Sequence, residues 1–180
     1  MITRIILLVL LLGLSSISQT SAFQQRDHLT PQEVDLVKEA QVLDKRIDVF
    51  IKAAERRLQV ISGSTVPDTK QSKKDSDRWG EWPKGSRAEL VTDIARILDE
   101  AITNIDDVST RDEHNPLIGK SLRKLAQAVN TIMAQLKPLS AEAKSDAEIA
   151  SFETLNEDAK SILEAATKLP PEVEKKKKKN

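Results

Sequence analysis

Apolar residues recur at helical spacing in four segments of the chain. In the first segment the stripe runs through Leu36, Leu43 and Phe50, with steps of three and four residues between its members. Similar stripes follow in the other three segments, and none shows the sustained two-residue alternation of a strand. The pattern predicts helices at about 31–62, 86–108, 116–137 and 141–168.

Capping residues indicate where these helices begin and end. Thr30-Pro31-Gln32-Glu33 and Ser86-Arg87-Ala88-Glu89 both have the form of a capping box, at the starts of the first and second helices. Asn115 precedes a proline and is the expected N-cap of the third helix. We expect Pro138 to end that helix and Ser140 to begin the fourth.

Four amphipathic helices predict an all-α protein, most simply a four-helix bundle that is mostly antiparallel. The first helix would be about 48 Å long and the next two about 33–35 Å, so one end of the first should project by roughly 10–15 Å. A long linker, 63–85, joins the first two helices. Because this linker can cross the length of the bundle, their relative direction stays open.

The linker contains both tryptophans of the chain, Trp79 and Trp82. They are expected either to fold back over the projecting end of the first helix or to form a surface for a glycan, peptide or protein. Arg56 and Arg57 lie near that end, and we expect Arg57 to lay its stem along the core with its guanidinium in water. Together these four residues are the candidate partner surface.

The two ends of the chain differ from its helical part. Residues 1–22 are typical of a signal peptide, with Arg4 before an apolar run and cleavage expected after Ala22; retention as an anchor is the alternative. Residues 23–170 form the predicted helical domain, exported to the periplasm or secreted, without stable membrane insertion. Residues 171–180 are expected to be a disordered lysine-rich tail that could meet anionic lipid or polymer.

Composition excludes several kinds of chemistry. The chain has 28 basic and 28 acidic side chains, and this balance argues against nucleic-acid binding. It has no cysteine, and its two histidines lack the Glu-x-x-His spacing of di-iron bundles. The acidic stretch 106–114 lacks the ligand pattern of an EF-hand. We therefore expect no enzyme activity, catalytic site, cofactor or metal, and a function in binding an unknown protein or envelope polymer.

One short motif offers an alternative function. Leu29-Thr30-Pro31-Gln32-Glu33 resembles the Leu-Thr-x-x-Gln motif of small periplasmic helical stress proteins and chaperones. Those proteins carry the motif twice with glutamine at its fifth place, whereas this chain has one copy with Glu33 there. The resemblance implies a chaperone-like holdase or envelope-stress protein. The oligomeric state stays open under either function.

Overall fold

The computed structural model describes residues 27–64 and 77–170, and these residues are all-helical, without strands. The predicted signal peptide, the lysine-rich tail and linker residues 65–76 lie outside the described residues. The prediction of an all-α protein is confirmed. A helical turn at 77–79 accompanies five longer helices: α1 (Pro31–Glu39), α2 (Leu43–Ile61), α3 (Arg87–Arg111), α4 (Pro116–Ala141) and α5 (Asp146–Thr167).

The predicted helix over 31–62 is two helices, with a break at 40–42. Ala40 leaves the helical conformation, and Val42 is the extended N-cap of α2. A hydrogen bond spans the break, because the Nε of Arg46 in α2 donates to the backbone oxygen of Ala40 at 2.9 Å. The expected projection of the first helix was therefore wrong: α2 has 19 residues and is shorter than α3 and α4, with 25 and 26.

The C-terminal half of the chain differs from prediction at one junction. Pro138 lies within α4, which continues to Ala141. A proline removes one helical hydrogen bond and disturbs the turn around it. Only three helical residues follow Pro138, and Leu139 among them still packs against the core. Ser145, not Ser140, caps α5, because its hydroxyl accepts from the backbone N–H of Glu148 at 3.2 Å.

Polar contacts between helices give their relative directions. Arg46, at the beginning of α2, donates to Asn104 of α3 at 3.1 Å, and Arg57, near the end of α2, lies beside Asp93, near the beginning of α3. Helices α2 and α3 are therefore antiparallel. Helices α2 and α4 are parallel, because the pairs Asp44–Lys120 and Asp48–Lys124 advance in the same direction along both. Helices α3 and α5 are parallel for the same reason, through Arg87–Glu148 and Thr92–Ser151.

Each of the four long helices buries one apolar face. Helix α2 packs against α3 and α4, and α5 packs against the same two helices. The fully buried side chains between them include Ile47, Phe50, Ile94, Leu98, Leu125 and Leu155. Among the described helices, none combines the length and hydrophobicity needed to cross a membrane.

Candidate functional site

Glu33 is a fully buried carboxylate in the first turn of α1. The capping box fixes its position, because its Oε2 accepts from the backbone N–H of Thr30 at 2.9 Å and its own N–H donates to the Thr30 hydroxyl at 3.3 Å. The same local motif that begins α1 therefore turns a carboxylate toward α2.

Two arginines from the end of α2 converge on this carboxylate. Glu33 Oε1 accepts from Arg56 at 2.7 Å and from Arg57 at 2.8 Å, and its Oε2 lies 2.7 Å from a second nitrogen of Arg57. Asp93 of α3 lies 3.9 Å from the Nε of Arg57. We call these four residues the Glu33 cluster. Its two cations and two carboxylates balance in charge.

Burial and pairing act in opposite directions on the ionisation of this cluster. Burial by itself raises the pKa of Glu33, but hydrogen bonds and charges from Arg57, Thr30 and Arg56 lower that pKa below its ordinary value overall. Burial lowers the pKa of Arg56, an effect that Glu33 partly offsets. Glu33 is therefore charged at neutral pH, and arginine in proteins stays protonated there.

Arg57 is only 1% exposed, which shows that the expectation of a guanidinium in water was wrong. The physical reason is that buried partners replace water. Besides Glu33, its guanidinium donates to the backbone oxygens of Ala53 at 2.8 Å and His28 at 2.6 Å. Its Nε is the one nitrogen of this side chain without a hydrogen-bond partner.

Arg56 binds residues 79–84, which we call the tryptophan segment, as well as α1. One of its nitrogens donates to the backbone oxygens of Gly80 at 3.1 Å and Glu81 at 2.7 Å. Its guanidinium carbon lies 5.7 Å from the ring centre of Trp79 and 5.1 Å from that of Trp82, within cation–π range. Gly80 has φ of +64°, and a Cβ there would meet Gln32 of α1 at 2.6 Å. The tryptophan segment is thus fastened to both α1 and α2.

A surface groove of about 430 Å³ lies beside this cluster. Trp82 is half-buried and lines the groove, whereas Trp79 is buried at 9% exposure. We call this feature the Trp82 groove. The polar side chains that line it come from the start of the described chain, from the first turn of α1, from α2 and from the tryptophan segment: Asp27, Thr30, Gln32, Arg57, Glu81 and Lys84.

The structure brings all four sequence-predicted surface residues together. Arg56, Arg57 and Trp79 are buried, and Trp82 keeps an exposed fraction at the groove. A partner contact at these residues stays a prediction. Sequence reasoning missed the site role of Glu33, because its capping function accounted for it. The available signal was the arginine pair interrupting an apolar stripe, since a buried arginine requires an anionic partner.

A second groove, apolar and about 370 Å³ in volume, lies between α4 and α5, with Met133, Leu136 and Phe152 in its lining. We call it the α4–α5 groove. Within residues 27–64 and 77–170, no group of three or more histidine, cysteine or acidic side chains is placed to hold a metal ion. No protein-family model, curated protein or solved structure matches the chain.

Proposed function

We propose that the chain is an exported, non-enzymatic helical protein that binds another macromolecule, a protein or an envelope polymer, through the Trp82 groove. The observation that carries this proposal is a half-buried tryptophan fastened by a buried arginine at the edge of a 430 Å³ groove. Tryptophan side chains fixed in this way are frequent energetic centres of binding surfaces. Export rests on the signal-like pattern of residues 1–22.

The scaffold of this proposal is a four-helix bundle. We infer that α2, α3, α5 and α4 follow one another around the bundle, with α1 folded back along α2. The contacts between these helices support that order. Neighbours α2/α3 and α4/α5 would then be antiparallel, while α2/α4 and α3/α5 would be parallel. The short loop 112–115 would join helices on a diagonal.

The chemistry of the Glu33 cluster favours binding over catalysis. A general base needs a free lone pair directed at a substrate, and both oxygens of Glu33 are engaged by arginine and backbone donors. His28 lies near the groove, but its Nε2 is 2.8 Å from Glu100 of α3. The charged groups of this region therefore hold segments of the protein together.

The proposal is tested by comparing what two forms of the full chain retain. Immobilised wild-type protein and the Trp82→Ala variant are incubated with envelope and secreted fractions of the producing cells. A component retained by the wild type and lost from the variant supports the proposal. Identical retention by both forms overturns it. Lys160→Ala on α5, an exposed residue outside the lining of the groove, is the control.

The alternative function, a holdase, needs a large exposed apolar surface. Among the described residues, Val42 and Ile149 are the large hydrophobic side chains that are exposed, at 50% and 42%. Such a small apolar surface favours the binding module. The α4–α5 groove is the place where a client segment would bind if the alternative were right, and suppression of client aggregation by the wild type but not by Phe152→Ala would support it.

A further inference from the structure

We infer that the ligand of the Trp82 groove is a neutral carbohydrate chain; this inference rests on the proposed function and names the chemistry of its partner. A sugar ring has an apolar C–H face that can stack on an aromatic ring and a rim of hydroxyls that both donate and accept hydrogen bonds. The groove offers surfaces of both kinds: the indole of Trp82 and polar side chains around it.

The charges around Trp82 select against ionic ligands. The guanidinium of Arg56 already lies over this indole at 5.1 Å, so a cationic ligand stacking on the same ring would meet a like charge. The two cations that line the groove, Arg57 and Lys84, are already paired with Glu33 at 2.7 Å and Glu81 at 2.8 Å. An anionic ligand would therefore meet the carboxylate of Asp27 without an unpaired cation to offset it. A neutral polar ligand meets neither penalty.

The hydrogen-bonding groups of the groove suit hydroxyls better than a peptide. Gln32 supplies an amide that donates and accepts, Asp27 and Glu81 accept, and Lys84 donates. A peptide that adds a strand would instead need a sheet edge, and an amphipathic helix would need an apolar groove. The described residues contain no strand, and the apolar α4–α5 groove lies between other helices.

The groove is also fixed before a ligand arrives. Arg56 holds the backbone of Gly80 and Glu81, and Pro83 beside Trp82 is buried. Ordering the Trp82 side chain on binding therefore costs little conformational entropy. The volume of about 430 Å³ lies in the range of small-molecule sites and fits a short stretch of a polymer chain.

The test uses the full chain and four neutral hexasaccharides: cellohexaose, maltohexaose, xylohexaose and the hexamer of N-acetylglucosamine. In the Trp79→Phe variant, Trp82 is the sole tryptophan, so its fluorescence reports the groove directly. We expect a saturable change in emission with at least one hexamer. Calorimetry with the wild type should give the same affinity, which shows that the reporter variant is folded and competent.

Two further variants identify the residues that bind. Trp82→Ala should weaken binding by at least about tenfold and Gln32→Ala by a few-fold, while Lys160→Ala should leave it unchanged. Absence of saturable binding by every hexamer at millimolar concentration, or equal binding by wild type and Trp82→Ala, overturns the inference. If a protein is retained in a Trp82-dependent manner but no sugar binds, the carbohydrate inference fails and the proposed function stands.

Discussion

At the scale of single residues, the Glu33 carboxylate determines how three separate parts of the chain meet. It receives both arginines of α2, and Arg56 carries the contact on to Gly80 and Glu81. Taking such charges out of water is costly, and the cost is compensated only while every partner is present. The cluster is therefore more sensitive to the loss of one member than an exposed ion pair is.

Replacing Glu33 with glutamine should lower the free energy of unfolding by about 3–5 kcal/mol at neutral pH, because two buried cations lose their shared anion. Urea unfolding followed by circular dichroism measures this loss. Asp35→Asn is the matched control on the same helix, since Asp35 is 71% exposed and its removal should change stability by less than about 0.5 kcal/mol. Equal effects of the two variants would contradict the assigned role.

The same variant gives a prediction for pH. In the folded protein the pKa of Glu33 lies below its ordinary value of 4.5. The stabilisation that the ionised Glu33 provides is therefore complete above pH 4.5 and is lost as the pH falls through the lowered pKa. The stability difference between wild type and Glu33→Gln should therefore narrow below about pH 4.5. A difference that stays constant into strong acid would show that ionisation of Glu33 is not involved.

Two glycines form a matched pair that separates backbone strain from side-chain contact. Gly63 and Gly80 both have positive φ, +66° and +64°, but a Cβ at Gly63 meets no atom within 4 Å. Each alanine variant should lose about 1–2 kcal/mol of stability from backbone strain. Gly80→Ala should in addition displace Gln32 and change the emission of Trp82, whereas Gly63→Ala should leave the emission unchanged.

At the scale of elements, the break between α1 and α2 is the feature that local sequence reasoning could not find. Residues 40–42 contain neither proline nor glycine, and the apolar stripe runs through them without interruption. In one continuous helix, Glu33 and Arg56 would be about 35 Å apart. Their 2.7 Å contact requires the break, so the break goes together with a tertiary charge pairing that has no local signal. The other helices begin at capping residues that the local sequence reveals, and most of their ends were predicted to within a few residues.

The start of α2 lacks a side-chain cap, which offers a way to stabilise the protein. Val42 is the N-cap, makes no capping hydrogen bond and is 50% exposed. Val42→Asp should raise the free energy of unfolding by about 1 kcal/mol, because a carboxylate at this position accepts from free N–H groups of the first turn. Val42→Ala, which removes the apolar side chain without adding a cap, is the control and should give no such gain.

The contact between α3 and α5 contains a like-charge pair that should reduce stability. Burial raises the pKa of Asp158, and the charges of Asp99 and Glu157 raise it further. A raised carboxylate pKa means that ionisation disfavours the folded state, so this penalty is present above that pKa and disappears below it. Asp158→Asn should therefore raise the melting temperature slightly at neutral pH but not in acid. Glu153→Gln, an exposed acid on α5, is the control.

At the scale of the whole molecule, the directions of the helices follow from polar pairs that no single helix reveals. The sequence left the first two long helices parallel or antiparallel because the joining linker is long. The Arg46–Asn104 contact, taken together with the Arg57–Asp93 contact, decides between these directions, and the partners of the first are 58 residues apart. The tryptophan segment illustrates the same limit. Its position beside the arginines was predicted as one of two alternatives. The hydrogen bonds that hold it, from Arg56, which is itself bound to Glu33, were not predicted.

Absence of cysteine makes the antiparallel direction of α2 and α3 directly measurable with spin labels at introduced cysteines. Labels at exposed positions 45 and 107 should be close, because both lie near the Arg46–Asn104 contact. Labels at 62 and 107 should be clearly farther apart, because positions 45 and 62 are separated by about 25 Å along α2, the length of 17 helical residues. A shorter distance for the second pair than for the first would contradict the proposed bundle.

The docking of α1 through the Glu33 cluster leads to a prediction about local opening of the protein. Helix α1 docks through this ionic centre and through apolar side chains such as Leu36, whereas the four long helices bury a larger core among themselves. Release of α1 should therefore expose the ionic centre while leaving the core of α2–α5 packed. The slowest-exchanging amides should therefore belong to α3 and the middle of α2, with α1 amides exchanging earlier and together as one unit. Such opening would also remove Glu33 from Arg56, which binds Gly80 and Glu81, and would take the α1 side of the groove away, so the shape of the Trp82 groove is thermodynamically linked to the docking of α1.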